Sequence, residues 1–434
     1  MMEQEKKEMY LKALHNGVSV ATGCTEPVAV AFAVATCADQ LDHQEPASIN
    51  VKVSANIMKN AIAVVVPGTG KAGLTVAEAV GYLFGDASKG MKVIPDLNDE
   101  QNQQIDDLLA SEKLHVALAH VKDKFFVEAT VKTVTGHSAQ VKIAADHTNI
   151  YLIKKDDKVV FEKKRPAVDS LADWERFMQK GRLQEIWDLC LTLPLEELAF
   201  IQRAQKDNMA LAQEGLTHHY GMQVGRALTH PSEIGVDDSL LNKIIAATAA
   251  ASDARMGGAP LPAVTNSGSG NQGITATVPV CVLAQEKGVT DEQLIRALAL
   301  SHLTAIYIHS FLPILSAYCA THSAAMGAAT GLSYLLGGDV STAGRAIKNM
   351  IGDALGMICD GAGCSCAMKV ATSVQTMLKA VRLATQGITI PGTNGVVCDS
   401  VDNTIRNLGE LTMDGLTASD PVILKIMMAK DRIE

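Results

Sequence analysis

The sequence predicts an α+β protein: a mixed N-terminal part with an antiparallel meander, followed by a large all-helical part. Three observations lead there. Residues 125–162 alternate apolar and polar side chains in short runs separated by turn signals, as half-buried antiparallel strands do. Beyond residue 165 strand signal almost vanishes, and apolar positions recur at helical spacing, as in Leu195, Leu198 and Ile201 or Leu294, Ala297 and Leu298. Apolar residues make up 47 % of the chain but aromatics only 4 %, which favours closely packed small-residue helices over an aromatic-rich sandwich. Lys163-Lys164-Arg165-Pro166 separates the two patterns, giving a mixed domain over 1–165 and an all-helical domain over 166–434. A chain of 434 residues is long enough for both cores.

Taken in order, residues 3–15 predict a polar helix that Asn16-Gly17 ends. Ala21-Thr22-Gly23-Cys24-Thr25-Glu26-Pro27 then precedes the apolar run 28–38. Pro27 suits the first turn of a helix and Thr25 its N-cap. Cys24 would lie just before exposed helix amides, which lower the pKa of a nearby thiol. A reactive thiolate and a small buried turn residue both fit that stretch. Residues 48–54 read as a strand, and the apolar run 61–66 ends in Pro67-Gly68-Thr69-Gly70-Lys71-Ala72-Gly73. Lys71 is followed by Ala72, so the G-x4-G-K-[ST] spacing of a P-loop is missing and a plain turn into a helix is expected. Helices follow over 75–84 and 99–110, and the meander strands fall within 125–134, 139–143, 150–154 and 159–163.

In the helical part, Asn266-Ser267-Gly268-Ser269-Gly270-Asn271-Gln272-Gly273 is a strong loop signal leading into a helix over 274–285. A glycine-rich run with hydroxyls and amides at a helix start can present backbone N–H groups to an anion. Without a phosphate-binding lysine nearby, a small carboxylate is the expected guest. His302 and His309, seven residues apart, share a helix face and, with His322, are supporting residues at most. Residues 311–336 are long and apolar enough to suggest a membrane span, but Pro313, His322, many small polar residues and the lack of a basic flank predict a buried central helix instead.

Three of the nine cysteines fall within Met357-Ile358-Cys359-Asp360-Gly361-Ala362-Gly363-Cys364-Ser365-Cys366-Ala367-Met368-Lys369. Cys359 and Cys366 would stack two turns apart on one helix face, while Gly361 and Gly363 allow a tight loop or a helix start instead. Cys319 lies upstream in a small-residue helical run. Structural zinc wants four N or S ligands, often as two close pairs, and that pattern is absent. One isolated cysteine with a C-x6-C pair suits an iron-sulfur cluster with three protein ligands, whose fourth iron is open as a Lewis acid. Cysteines buried as small hydrophobes remain the plain alternative.

A formal charge of −9, no long basic run and two Trp give nucleic-acid binding little support. The charged N-terminus lacks a signal-peptide pattern, so a cytoplasmic protein without a membrane partner is expected. Nine cysteines there argue for metal, catalysis or burial over disulfides.

Together, Gly23-Cys24-Thr25-Glu26-Pro27, Ser252-Asp253-Ala254-Arg255-Met256-Gly257-Gly258, residues 266–274 and Met357-Ile358-Cys359-Asp360-Gly361-Ala362 resemble the L-cysteine desulfidase family, related to the alpha chain of iron-sulfur L-serine dehydratases. The resemblance covers nearly the whole chain. It implies a 4Fe-4S cluster held by cysteines matching Cys319, Cys359 and Cys366, and a proton acceptor matching Cys24. Cys364 and Cys281 match no ligand. The chemistry implied is β-elimination of a small amino acid, L-cysteine, to sulfide, ammonia and pyruvate. Thr25, Asn266, Ser267, Gly268, Ser269, Gly270 and Asn271 are the expected substrate-binding residues, and a homo-oligomer is expected. Three alternatives stay open: the same elimination on L-serine, a pyridoxal-phosphate enzyme using Lys59, and a cluster-bearing redox or iron sensor.

Overall fold

The computed structural model describes residues 2–22, 25–165, 171–230, 238–313 and 317–430. Helix α1 (Met2–Gly17) and the short strand β1 (Val20–Thr22) come first, then α2 (Thr25–Gln40), β2 (Pro46–Val53), α3 (Ala55–Ala61), α4 (Leu74–Phe84) and α5 (Asp99–Leu109). Strands β3 (Leu114–Leu118), β4 (Phe126–Thr133), β5 (Ser138–Ala144), β6 (Ile150–Lys155) and β7 (Lys158–Glu162) complete a sheet of order β3-β2-β4-β5-β6-β7. From β4 to β7 it is an antiparallel meander, as the alternation predicts. Strand β3 instead runs parallel to β2, a pairing that needs the long crossover through α3 to α5.

Alternation decides which face of this sheet is buried. Ile49, Val51 and Val53 on β2, Val127, Ala129 and Val131 on β4, and Val141 and Ile143 on β5 join the apolar faces of α2 and α4 in one core. The two helices lie backbone against backbone: a Cβ on Gly81 of α4 would come within 2.5 Å of the Ala31 carbonyl oxygen of α2. Asn98 and Gln101 close a reciprocal capping box at the start of α5.

The helical part runs α6 (Asp173–Met178), α7 (Leu183–Thr192), α8 (Leu195–Leu198), α9 (Gln202–Thr217), α10 (Val224–Thr229) and α11 (Leu240–Met256). After strand β8 (Pro262–Val264) come α12 (Gly270–Lys287), α13 (Asp291–His309), α14 (Thr321–Leu335), α15 (Val340–Asp353), α16 (Cys366–Ala384), α17 (Val401–Glu410) and α18 (Ser419–Lys430). Strand β8 is a departure from the all-helical expectation; it pairs antiparallel with β1 and is too short to show an alternating pattern. Helix α14 is buried on every side except at Tyr334, which explains the membrane-like run without a membrane. Among the described residues no helix is long and apolar enough to cross a bilayer. Small residues permit this packing: a Cβ on Gly331 would come within 2.7 Å of the Ala297 carbonyl oxygen on α13.

Two chain ends cross between the parts. Tyr10, Ala13 and Leu14 of α1 share a core with Met178, Ile186 and Leu303, and Tyr10 donates a 2.7 Å hydrogen bond to Glu185. In the other direction, Leu424 of α18 packs into the core beneath the sheet.

Candidate active site

The glycine-rich run forms a closed turn. Asn266 and Ser269 exchange two backbone hydrogen bonds of 3.0 Å each, around Ser267 and Gly268 at φ of +47° and +79°. Two consecutive left-handed residues are the geometry of a tight hairpin turn, which Gly268 adopts freely and Ser267 holds against the usual preference of a residue with a side chain. The turn is tied to the N-terminal segment, since Ser267 N–H donates to the Gly17 carbonyl at 2.8 Å and Thr265 N–H to Ser19 at 2.7 Å. Helix α12 starts at once, so Gly270, Asn271 and Gln272 form its first turn, whose amides have no intrahelical acceptor. A Cβ on Gly270 would overlap the Arg255 guanidinium, so this cation lies directly on the positive end of α12.

Asn266 faces inward. Its side-chain amide donates to His302 Nδ1 (3.2 Å) and to the His302 carbonyl (3.1 Å). Thr277 gives its hydroxyl proton to the Gly273 carbonyl, so His302 Nε2 carries the proton shared with Thr277 Oγ1 at 2.9 Å. Burial pushes His302 down to about 3 and fixes it neutral. It holds Asn266, and with it the turn, in place.

The cysteines come together through a backbone pairing. Cys319 N–H donates to the Met357 carbonyl at 2.9 Å and Cys359 N–H to the Ala317 carbonyl at 2.7 Å, around a bridge between Tyr318 and Ile358. Cys319 thus stands in an extended segment before α14 and not inside a helix, contrary to the expectation from its small neighbours. Cys359 is in a loop and Cys366 opens α16, which selects the loop and helix-start alternative over a shared helix face. Gly361, at φ of +108°, packs against the Lys59 carbonyl, and Lys59 Nζ donates to the Cys359 carbonyl at 3.3 Å while pairing with Asp420 at 2.5 Å.

Burial raises the Cys319 thiol above its ordinary value, and a negative charge on Cys359 raises it further. Burial likewise pushes Cys366 up to about 12, with Cys319 and Cys359 close enough to add to the effect. The three sulfurs therefore share one neighbourhood and need positive charge to ionise together. Among the described residues no three His, Cys, Asp or Glu side chains are close enough to hold a single metal ion. A cluster asks for wider spacing, because each thiolate binds its own iron, with metal–sulfur bonds of about 2.3 Å. Three thiols lining one cavity, from the segment before α14, the loop at Cys359 and the start of α16, are the kind of donor set such a group takes.

Cys319, Cys359 and Cys366 line a cavity of about 760 Å³ together with Thr25, Ser267, Gly268, Ser269 and Asn271. Asn266 and Gly270 lie behind that wall. Thr25 is inside α2, not before it as its N-cap, and its hydroxyl is 3.0 Å from the Glu26 carboxylate and 3.4 Å from the Gly268 carbonyl oxygen. Cys24 lies outside the described residues; Thr25 is its neighbour in the chain. His309 also lines the cavity, and burial pushes it down to about 4. The sheet contributes the turn at Asp146, His147 and Thr148, and α3 contributes Asn60. Arg255 was not among the residues expected from the sequence. Its signal was present, since it is the charge at the end of an Ala-rich buried helix.

A family model described as serine dehydratase alpha chain matches residues 89–425. The chain belongs to that family. Membership suggests lyase-type activity with an iron-sulfur likeness, and the matched span takes in Arg255, the turn at 266–269 and the three cysteines. The relatives it resembles carry the name UPF0597 protein. That of Latilactobacillus sakei subsp. sakei is 53 % identical over 97 % of this chain and 98 % of its own length. Those of Actinobacillus pleuropneumoniae serotype 3 and Chromobacterium violaceum are 42 % and 45 % identical, covering 99 % and 97 % of both chains.

Proposed function

We propose that this serine dehydratase alpha chain relative is a carbon–sulfur lyase that converts L-cysteine to sulfide, ammonia and pyruvate. The observation that carries the reading is the common cavity, lined by the three thiols and by Arg255 with the start of α12. Cys319, Cys359 and Cys366 would hold a 4Fe-4S cluster, which when bound supplies an open Lewis-acidic iron.

The chain's own groups do the rest. Arg255 and the first amides of α12 bind and orient the substrate carboxylate, with Ser267, Gly268, Ser269 and Asn271 shaping its seat. The thiolate of Cys24 takes the proton from the substrate's α-carbon, the electron pair forms the Cα–Cβ double bond, and the Cβ–S bond breaks to release sulfide. The aminoacrylate left behind tautomerises to an imine, and water hydrolyses it to pyruvate and ammonia. Lys369, paired with Asp360 and close to Cys319 and Cys359, supplies positive charge beside the thiolates. Lys59 is committed to Asp420 and the Cys359 carbonyl, which counts against a Schiff-base role.

Elimination of water from L-serine is the second reading, favoured by the family's description. Comparing both amino acids under anoxic conditions separates the two. Sulfide release from L-cysteine, abolished by Cys24→Ala with the cluster absorbance retained, is expected. Full turnover in that variant would overturn the assignment of the base.

A further inference from the structure

Two side chains of the cavity wall have no role in the account so far. Asn60, in the last turn of α3, is 7 % exposed, and Gln272, in the first turn of α12, is 3 % exposed. Both line the cavity, and neither Asn60 Oδ1 nor Gln272 Oε1 has a hydrogen-bond partner among the described residues. A glutamine at this helix position commonly folds back onto the N-cap amide. Here the Ser269 N–H already donates to the Asn266 carbonyl, and the Gln272 side chain makes no cap. A buried acceptor without a partner calls for a donor, and the cavity that these two side chains line is where one can come from.

The charges around the wall say which donor. Arg255 is the only Lys or Arg among the described residues that line the cavity, whereas three carboxylates, Glu26, Asp146 and Glu175, line it too. A zwitterion fits such a wall, whereas a simple anion fits poorly. Its carboxylate takes Arg255 and the helix start, leaving an ammonium group, which only donates, for acceptor oxygens.

We infer that Asn60 Oδ1 and Gln272 Oε1 form the subsite for the substrate's α-ammonium group, and so select α-amino acids over carboxylates lacking that group. The inference rests on the proposed amino-acid reading of the cavity. It also joins the two parts of the chain, because Asn60 comes from α3 beside the sheet and Gln272 from the helical part.

The test compares L-alanine with propanoate, which share a skeleton and lack a β leaving group, so neither is consumed. Binding to the anoxically reconstituted protein is followed by calorimetry and by the fluorescence of Trp174, which lines the cavity. Wild type should prefer L-alanine by about tenfold or more, the scale of hydrogen bonds to a charged group. Asn60→Leu and Gln272→Met should each cut that preference about fivefold or more while leaving propanoate affinity within about twofold, which also shows that the variant is folded. Asn60→Asp and Gln272→Glu supply the sign: beside an ammonium group they keep or raise the preference, whereas beside the carboxylate they weaken both ligands alike. An unchanged preference in all four variants, or equal weakening of both ligands, would overturn the inference while sparing the amino-acid reading. Wild type that binds neither ligand, or propanoate as well as L-alanine, would overturn that reading itself.

Discussion

Replacing Gly361 with alanine should disturb the cysteine loop far more than the same change at Gly363, two residues on. At Gly361 φ is +108°, and a Cβ would come within 2.5 Å of the Lys59 carbonyl oxygen and 3.0 Å of Met427 Cε. The methionine methyl can swing aside. The carbonyl belongs to α3 and cannot yield without shifting the helix that carries the Lys59–Asp420 pair. Backbone strain of this kind costs ~1–3 kcal/mol, and the displaced carbonyl adds to it, so a loss of ~2–4 kcal/mol is expected. At Gly363 the nearest atoms, Ala63 O and Cβ, lie at 3.7 and 3.8 Å, which is ordinary contact. That variant should stay within ~0.5 kcal/mol of wild type. Urea unfolding of both variants without oxygen, with iron retained after dialysis against a chelator, gives the comparison. Equal losses of stability and of iron at the two positions would refute the view that Gly361 shapes the loop.

Three further outcomes follow from the same contacts. Lys59→Met leaves Asp420 without its partner, and the usual 3–5 kcal/mol for breaking a buried pair, reduced because Asp420 is partly exposed, puts the loss at ~2–3 kcal/mol; a urea midpoint that does not move would contradict it. Arg255→Met should raise KM for the amino-acid substrate ~10–100-fold through loss of a charged carboxylate partner, and an unchanged KM would remove Arg255 from the site. Burial pushes the Asp253 carboxyl up to about 6 against the backbone amides at 222–225 that lower it. The folded chain therefore holds this proton where the unfolded chain, at 3.8, releases it, so stability should fall by at most ~3 kcal/mol as pH rises from about 4 to 6 and then level off. Asp253→Asn keeps an acceptor for the Gly225 N–H and should flatten that slope; a slope that persists would place its origin elsewhere.

The mixed sheet was legible because half-buried strands alternate, as in Phe126–Thr133, and the helices because their apolar positions recur. The parallel pairing of β3 was hidden, since a five-residue strand reads the same in either direction. Strand β8 was hidden too, at three residues. Cys319 was misplaced because small residues suit both a helix and a backbone-paired segment, and only the contact with Met357 and Ala317 decides between them. The turn at 266–269 was plain from its glycines and serines. That Asn266 faces His302 while Ser267 and Asn271 face the cavity depends on packing between α12 and α13, which no local pattern carries. Arg255, Asn60 and Gln272 became candidates only when distant segments met at one cavity.

The central claim is that Cys319, Cys359 and Cys366 hold a 4Fe-4S cluster in the cavity where the amino acid binds. Iron and acid-labile sulfide, measured on protein purified and reconstituted without oxygen, test it most directly. The account predicts about four of each per chain, lost when any one of the three cysteines is replaced by serine. Protein that takes up no iron, or triple-serine protein that takes up as much as wild type, would contradict it.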